Sequence, residues 1–293
     1  MNSFREYLQE KLMVFGRKTY PRFGQIIILG GGAGSGKGFQ LGSLLGVEGK
    51  VFDVDALKKL SVSAPRFAQR VKAETGHDIN SFDMRDPNSV FKLHEILADV
   101  YNIPHKSQQA TFASILTAAP DRKPNLIFDV TLKDLKKLAD ISRNAHELGY
   151  EKQNIHLVWV VNDINTAKLQ NLTRDRVVPE EILVGTHEGA ALTFKKILDM
   201  GDKLQQYMDG DIYFSFNNKG IDTKITQSTL APSQKGKFSI GSPKLDGAPR
   251  GSWVSKADYV KVKDQGKPQK PSTQLSTEIV QKIREYTPQI NTW

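Results

Sequence analysis

The residues best suited to chemistry form a glycine-rich run at positions 30–39, Gly-Gly-Gly-Ala-Gly-Ser-Gly-Lys-Gly-Phe. Residues 31–37 fit the pattern G-x-x-x-x-G-K, in which backbone N–H groups surround a polyphosphate and the lysine, here Lys37, reaches the outer phosphates. An apolar run at Gln25–Leu29 precedes this loop, and a segment that can begin a helix follows at Phe39–Leu45. The agreement of strand, loop and helix predicts a nucleoside-triphosphate site rather than a glycine-rich turn with a chance lysine. The predicted phosphate-binding residues are Gly31, Gly32, Ala33, Gly34, Ser35, Gly36, Lys37, Gly38 and Phe39.

One departure from this pattern concerns the bound metal. A serine or threonine usually follows the lysine and gives its hydroxyl to magnesium, but here Gly38 and then Phe39 follow Lys37. Two alternatives remain open. Either water and carboxylates hold the ion, or metal binding and catalysis are weakened.

Carboxylates follow two other predicted strands, and the carboxyl ends of parallel strands are where ligands bind in open α/β sheets. Asp55 follows the second strand and could accept the proton of an attacking hydroxyl, while Lys58, one helical turn later, could contact an acidic substrate. Asp129 ends the third strand and could organise Mg²⁺. The alternative is that Asp53 and Asp55 cap the next helix and Asp129 caps a loop.

Two arginines stand between the fourth strand and a Pro-Glu-Glu helix start. Arg174 and Arg176 could form a lid, because the planar fork of a guanidinium suits phosphate oxygens and neutralises charge during phosphoryl transfer. The alternative is a solvated helix end in which both arginines pair with Asp175 or Glu181.

The elements that must position these residues alternate between strand and helix. The predicted strands are Gln25–Leu29, Lys50–Asp53, Asn125–Val130, Ile155–Val161 and Ile212–Phe216. A helix with an apolar stripe lies between the third and fourth strands, with Thr131 as its cap, Asp134 three residues on, and Gly149 at its end. The predicted fold class is α/β, a P-loop three-layer sandwich with a five-stranded, mainly parallel sheet.

Composition divides the chain into three parts. Residues 1–20 read as an amphipathic leader and residues 21–218 as the P-loop domain, which carries a helical insert at about 61–119. Residues 219–293 carry a net charge of +7 out of the total of +9 and are rich in Gly, Ser, Pro and Lys. They predict a basic, weakly structured C-terminal extension, with one short helix at Thr277–Tyr286.

Several functional classes are disfavoured by the residues that are missing. The chain of 293 residues has no cysteine, which excludes disulfides and thiolate metal sites. The six histidines show no metal-ligand spacing. No apolar run is long enough for a membrane span, and residues 1–6 do not read as a secretory signal, so we expect a cytoplasmic location.

Together, these motifs resemble those of known kinases. The run at 31–40 is similar to the adenylate-kinase loop, including the glycine after the lysine, although that family has threonine where Phe39 stands. The layout of residues 23–217 resembles polynucleotide kinases and zeta-toxin kinases. The resemblance implies that Asp55 activates the substrate hydroxyl, that Asp129 lies at the family's Asp-Thr-Asn-like strand end, and that the arginine lid is the segment from Asn171 to Pro179.

A second resemblance concerns the first ten residues, which look like leaders on proteins of large tailed bacteriophages. Some such leaders are cut after Leu-x-Glu, which Leu8-Gln9-Glu10 matches. This implies packaging in the virion, or the host cytoplasm as the location. An ordinary amphipathic N-terminal helix is the alternative.

Three functional hypotheses follow from the sequence. The first is an ATP- or GTP-dependent, Mg²⁺-dependent kinase acting on a nucleic acid or nucleotide, with the basic extension contacting DNA or RNA. The second is a zeta-toxin-like kinase of small molecules such as nucleotide sugars. The third is a virion-associated nucleotide-binding protein with little turnover, which the missing hydroxyl after Lys37 favours.

Overall fold

A computed structural model describes residues 13–16, 21–173, 176–218, 237–239, 256–269 and 273–287. The strands are β1 Ile26–Gly30, β2 Lys50–Asp53, β3 Leu126–Asp129, β4 Ile155–Asn162, β5 Ile212–Asn218, β6 Lys237–Ser239, β7 Lys256–Asp264 and β8 Lys267–Pro268. The α-helices are α1 Lys37–Ser43, α2 Val54–Val62, α3 Pro65–Thr75, α4 Pro87–Glu95, α5 Ile103–Leu116, α6 Leu135–Glu147, α7 Ile164–Thr173, α8 Glu180–Asp199 and α9 Thr273–Tyr286. A π-helical turn, Ile96–Val100, continues α4, and short 3₁₀ turns lie at Ile79–Ser81, Pro120–Arg122, Lys152–Asn154 and Gly201–Gln206.

The sheet is parallel through its first five strands, in the order β2-β3-β1-β4-β5. Strand β1 lies in the middle, and the chain crosses to β2 on one side and later to β4 on the other, so the loop after β1 lies where the strand order reverses. Ligands bind at this switch point in open α/β sheets. All residues of β1 and β4 are buried, as a sheet covered on both faces requires.

Each face of the sheet has its own apolar core. On one face, Ile26, Ile28 and Trp159 pack with side chains of α6, α8 and α9. On the other face, Ile27 and Leu29 pack with Met13, Phe15 and the residues that follow α1. The helices and connecting segments therefore cover both faces, which confirms the predicted α/β class with a mostly parallel sheet.

The insert between β2 and β3 is helical, as predicted, and has a small core of its own. Val71, Leu93 and Ile96 are among its buried side chains. Phe91 is exposed, because it lies on the outer side of α4.

Two features differ from the sequence prediction of the sheet and its extension. The sheet has eight strands rather than five, since β7 pairs antiparallel with β5 and carries β6 and β8. The prediction of a weakly structured extension is wrong for β7, whereas the helix predicted at Thr277–Tyr286 is present as α9, which begins four residues earlier. Tyr259 and Val260 of β7 are buried, and so are Ile283 and Tyr286 of α9.

A buried polar cluster anchors β7 to the rest of the molecule. Asp211, directly before β5, is fully buried and accepts hydrogen bonds from the N–H groups of Gly16 (2.9 Å) and Gln265 (2.8 Å). The buried Lys261 Nζ lies 3.4 Å from the same carboxylate. His156 Nδ1 accepts from the Asp211 N–H at 2.8 Å. The cluster joins an N-terminal segment, the parallel sheet and the C-terminal strand.

The caps of α6 also differ in part from the prediction. Asp134, not Thr131, is the N-cap, and its carboxylate accepts from the Lys137 N–H at 3.0 Å. Thr131 lies in the loop before the helix, where its carbonyl accepts from the Gly31 N–H. Gly149 follows the helix with a φ of 77°, in the left-handed conformation that favours glycine.

Candidate active site

The glycine-rich loop has the backbone that phosphate binding needs. Gly34 and Gly36 have φ values of 76° and 90°, in a region that side chains avoid. Gly36 is also the N-cap of α1, so the loop leads directly into the N-terminus of a helix. The positive φ angles thus give the loop a tight turn between the carboxyl end of β1 and that N-terminus.

Two asparagines support the loop from neighbouring strands. The Asn162 Nδ2 group, at the end of β4, donates to the Gly34 carbonyl at 3.1 Å. The Asn217 Nδ2 group, on β5, donates to the Ser35 carbonyl at 2.8 Å and is itself oriented by Gln40, whose Nε2 donates to Asn217 Oδ1 at 2.6 Å. The carbonyls are thus held away from the concave side of the loop, where they would repel phosphate.

Lys37 folds back over the loop that it follows. Its ammonium donates to the carbonyls of Gly31 (2.9 Å) and Gly32 (3.2 Å) and lies 3.7 Å from Asp129 Oδ1. Burial raises the pKa of Asp129, and the Lys37 charge partly offsets that rise. This cation is therefore held at the loop by neighbours that a triphosphate could replace.

Asp53 and Asp129 are register partners on adjacent strands, so both carboxylates lie at the same edge of the sheet. Asp53 and Asp55, at the start of α2, have different contacts: one caps the helix and the other does not. Asp53 is a cap and accepts from the Asp55 N–H at 2.8 Å. Asp55 instead directs its carboxylate to the side chain of Arg176.

Arg176 and Asp55 form a two-pronged ion pair. Nη1 donates to Oδ1 at 2.6 Å, and Nη2 donates to Oδ2. Lys58 Nζ lies 3.6 Å from Asp55 Oδ1, and burial together with the Arg176 charge lowers the pKa of Lys58. Both donor groups of the Arg176 fork thus bond to Asp55 rather than to Glu181, and Asp175 lies outside the described residues. Arg174 also lies outside the described residues.

The segment that carries Arg176 touches the helical insert. The Val177 N–H donates to the Met84 carbonyl at 3.1 Å. Asn171 closes the base of the segment, because its Nδ2 donates to the Val178 carbonyl at 2.6 Å and its Oδ1 accepts from the Val178 N–H at 2.9 Å. The segment thus bridges the loop side and the insert side of the cleft.

Two loop contacts come from residues that sequence analysis did not single out. Thr186 and His187 of α8 both hydrogen-bond to Ala33. The available signal was a histidine on the apolar face of a helix, since His187 shares its buried side with Leu183 and Ala190. Such a histidine is ordinarily a satisfied core residue, and nothing in its spacing pointed to the loop.

Oxygen ligands suited to magnesium are present at the sheet edge, but they are few. Asp129 and Asp53 supply carboxylates, the donors that Mg²⁺ prefers alongside substrate phosphates and water. Gly38 and Phe39 add no hydroxyl. No cluster of three or more His, Asp or Glu residues that could hold a metal occurs in the described part of the chain. The arrangement fits an ion held jointly by protein, water and phosphates.

No protein-family model and no curated protein matches the chain. Among solved structures, the AvrRxo1-ORF1:AvrRxo1-ORF2 complex with sulphate ions matches at 13% identity and a TM-score of 0.48, over 92% of this chain and 66% of that chain. The same complex with ATP gives 13% and 0.48, over 93% and 66%. The PezAT chromosomal toxin-antitoxin system of Streptococcus pneumoniae gives 15% and 0.37, over 68% and 69%.

In the described ranges, each helix is too short or too polar to cross a membrane.

Proposed function

We propose that this protein is a phosphotransferase that moves the γ-phosphoryl group of ATP or GTP to a hydroxyl group. One observation carries the proposal: Lys37 at a phosphate-binding loop lies beside Asp129, and the Asp55–Arg176 pair belongs to the same cleft. The charges of Asp53 and Asp55 both raise the pKa of Asp129, as expected for carboxylates that share one cleft.

The loop and Lys37 bind the triphosphate. The loop N–H groups surround the β-phosphate region, and Lys37 exchanges its two carbonyl partners for phosphate oxygens. The exchange replaces neutral acceptors with charged ones, which strengthens each hydrogen bond. Asp129 and Asp53 would hold Mg²⁺, which neutralises charge on the phosphates when bound.

Asp55 accepts the proton of the acceptor hydroxyl, and Arg176 neutralises the transferred group. In the present arrangement the Arg176 fork occupies both Asp55 oxygens. We infer that the incoming phosphate draws Arg176 away, which frees Asp55 for the hydroxyl. Lys58 remains beside Asp55 and could contact an anionic group of the acceptor.

The acceptor class remains that of the first hypothesis, a nucleic acid or nucleotide, with a nucleotide sugar as the alternative. The structure reduces one argument for DNA or RNA. Lys261 and Lys263 belong to the basic extension, but both are buried, and Lys261 is paired with Asp211 and Asp264. Their charges are therefore not displayed for phosphate contacts, and acceptors must be compared directly.

A nucleotide-binding protein with little turnover is the second candidate, and Gly38 favours it. A hydroxyl after the lysine normally binds the metal, and this chain has none at Gly38 or Phe39. This candidate predicts nucleotide binding without phosphoryl transfer, and recovery of the protein from virions if the leader directs packaging.

The test uses purified full-length protein with γ-labelled ATP or GTP and magnesium. Separate reactions contain 5′-hydroxyl DNA, RNA, hydroxymethylated DNA, nucleoside monophosphates and nucleotide sugars. Label should reach one acceptor class and be lost in Lys37→Ala and Asp55→Asn, whereas Lys136→Ala, on the surface of α6, should behave as wild type. Nucleotide binding without transfer to any acceptor would reject the kinase and support the second candidate.

A further inference from the structure

Two adjacent residues of α8 hydrogen-bond to the backbone of one residue of the phosphate-binding loop. Thr186 Oγ1 accepts from the Ala33 N–H at 3.0 Å, and His187 Nε2 lies 2.7 Å from the Ala33 carbonyl oxygen. Since a carbonyl only accepts, Nε2 must carry the proton and donate it. The backbone of Ala33 is thus held at both its donor and its acceptor.

The orientation of the Thr186 hydroxyl and the protonation state of the His187 ring both suit these hydrogen bonds. The Thr186 hydroxyl donates to the Leu183 carbonyl at 2.6 Å, which leaves its oxygen lone pairs to accept from Ala33. His187 is buried, and burial lowers its pKa to about 4, so the ring stays neutral near pH 7. A neutral ring with one bonded N–H has a fixed tautomer. The pair therefore presents one acceptor and one donor at fixed positions.

Close contact with α8 also explains why positions 30 and 32 are glycines, although their backbone angles do not require glycine. A Cβ atom on Gly32 would lie 2.2 Å from His187 Cδ2, and one on Gly30 would lie 2.7 Å from Phe194 Cε2. Neither glycine has a positive φ, unlike Gly34 and Gly36. Contact with α8 thus requires glycine at positions 30 and 32, whereas Gly31, Gly34 and Gly36 have positive φ angles of their own.

Helix α8 also continues directly from the segment that carries Arg176. That segment ends at Pro179, and α8 begins at Glu180, two turns before Thr186 and His187. The residues that contact Ala33 and the base of the arginine segment therefore belong to one continuous helix and its N-cap.

We propose that Thr186 and His187 are positioning residues that hold the phosphate-binding loop in its triphosphate-binding shape and connect it to the segment that carries Arg176. The proposal rests on the proposed function, because it assigns the pair to that site. Neither residue is expected to touch the nucleotide.

The first experiment removes the Thr186 acceptor while keeping its shape. Thr186→Val should weaken ATP binding by about tenfold, because the part-buried Ala33 N–H loses its acceptor, and Thr186→Ser should bind within about twofold of wild type. Thr111→Val is the matched control, since the Thr111 hydroxyl bonds only to the Ser107 carbonyl of its own helix. The readout is ATP affinity by calorimetry well below the melting temperature, which a loss of stability alone would not change.

The second experiment tests the contact between Gly32 and His187. Gly32→Ala should weaken ATP binding by about 100-fold, because its methyl group meets the imidazole, and His187→Ala should weaken it by about tenfold. The double variant should bind more tightly than Gly32→Ala alone, because the second change removes the clash. All affinities are measured well below the melting temperature of each variant, so that differences in stability do not affect the comparison.

The outcomes separate this inference from the proposed function. The positioning role would be overturned if Thr186→Val bound ATP with wild-type affinity. It would also be overturned if the double variant lost as much binding free energy as Gly32→Ala and His187→Ala lose together. Wild type that binds ATP but transfers no phosphoryl group would overturn the kinase and leave the affinity comparison decisive. Wild type that binds no nucleotide would overturn both.

Discussion

At the scale of single residues, Gly38 is the position where the loop departs from its usual pattern without a structural need. A Cβ atom on Gly38 would meet no atom within 4 Å, and its φ is not positive. A side chain is therefore sterically allowed in the first turn of α1. Packing therefore does not exclude a hydroxyl at this position.

Restoring the hydroxyl should make nucleotide binding respond more strongly to magnesium. For each variant, the measured quantity is the ratio of the ATP affinity with Mg²⁺ to the ATP affinity with EDTA. We expect this ratio to be about threefold to tenfold larger for Gly38→Ser than for Gly38→Ala. Both variants should be slightly more stable than wild type, by about 0.5–1 kcal/mol, because glycine is a poor helix residue. Calorimetric titration in the two buffers measures the ratio. Equal ratios for Ser and Ala would contradict a metal-binding position.

Arg176 should matter to turnover more than to folding. In the proposed kinase, Arg176→Ala should lower kcat by about 10³, and Arg176→Lys should be intermediate because an ammonium cannot form the two-pronged contact. Arg143→Ala is the control, since Arg143 forms a comparable but exposed pair with Asp140. Steady-state kinetics with the labelled acceptor give the values. An unchanged kcat in Arg176→Ala would remove Arg176 from the proposed mechanism.

Residue types at strand ends predicted which side chains lie near one another at the sheet edge, and their roles stay predictions. The sequence left open whether Asp55 caps the next helix together with Asp53, and only the direction of each carboxylate separates the cap, Asp53, from the partner of Arg176, Asp55. Thr186 and His187 could not be predicted, because their role depends on where α8 crosses the loop. Such crossings are set by packing and leave no local pattern.

At the scale of elements, the apolar patterns gave the five parallel strands to within two residues. Continuous apolar runs mark strands buried on both faces, and these strands have no other stable location. Strand β7 escaped prediction because its sequence, Lys-Ala-Asp-Tyr-Val-Lys-Val-Lys-Asp, alternates with lysine as an exposed strand does. Two of those lysines are in fact buried, which sequence patterning cannot show.

The cap of α6 gives a test at this scale. Asp134→Ala should lower the free energy of unfolding by about 1 kcal/mol, because the Lys137 N–H loses its acceptor. Thr131→Ala should cost less, since it is the Thr131 backbone carbonyl that contacts the loop. Urea denaturation of both variants compares them. A larger loss in Thr131→Ala would restore Thr131 as the cap.

At the scale of the whole molecule, two buried histidines make stability depend on pH. Burial lowers the pKa of His156 and of His187 from 6.5 to about 4. Below pH 6.5 the unfolded chain therefore binds protons that the folded protein does not, and stability falls as pH drops toward 4. Each histidine contributes a slope of about 1.4 kcal/mol per pH unit inside that window.

Urea denaturation at several pH values between 4 and 7.5 measures this slope. We expect His156→Gln to reduce the slope by the contribution of one proton, about 1.4 kcal/mol per pH unit, even though the variant is less stable overall. His146→Gln, at an exposed position on α6, should leave the slope unchanged. A slope that His156→Gln does not alter would show that other groups cause the pH dependence.

The pair of Lys261 and Asp211 tests whether residues beyond 218 belong to the folded domain. Lys261→Met should destabilise the protein by about 3–5 kcal/mol, because Asp211 keeps its charge in a buried site without its cation. Adding Asp211→Asn should recover part of this loss. A surface pair, Lys195 and Asp199, is the control and should contribute less than about 1 kcal/mol. A negligible effect of Lys261→Met would separate β7 from the core.

The meeting of distant segments at Asp211 also sets the order in which the molecule can fold. The Gly16 N–H and the Asp211 carboxylate that it contacts are 195 residues apart, and β7 is translated later than both. The phosphate-binding loop therefore leaves the ribosome long before its sheet can be completed. Contacts so distant in sequence slow folding, and β5 keeps an unpaired edge until β7 arrives. Nucleotide binding should accordingly appear late in synthesis, and nascent chains that stop before β7 should be substrates for chaperones.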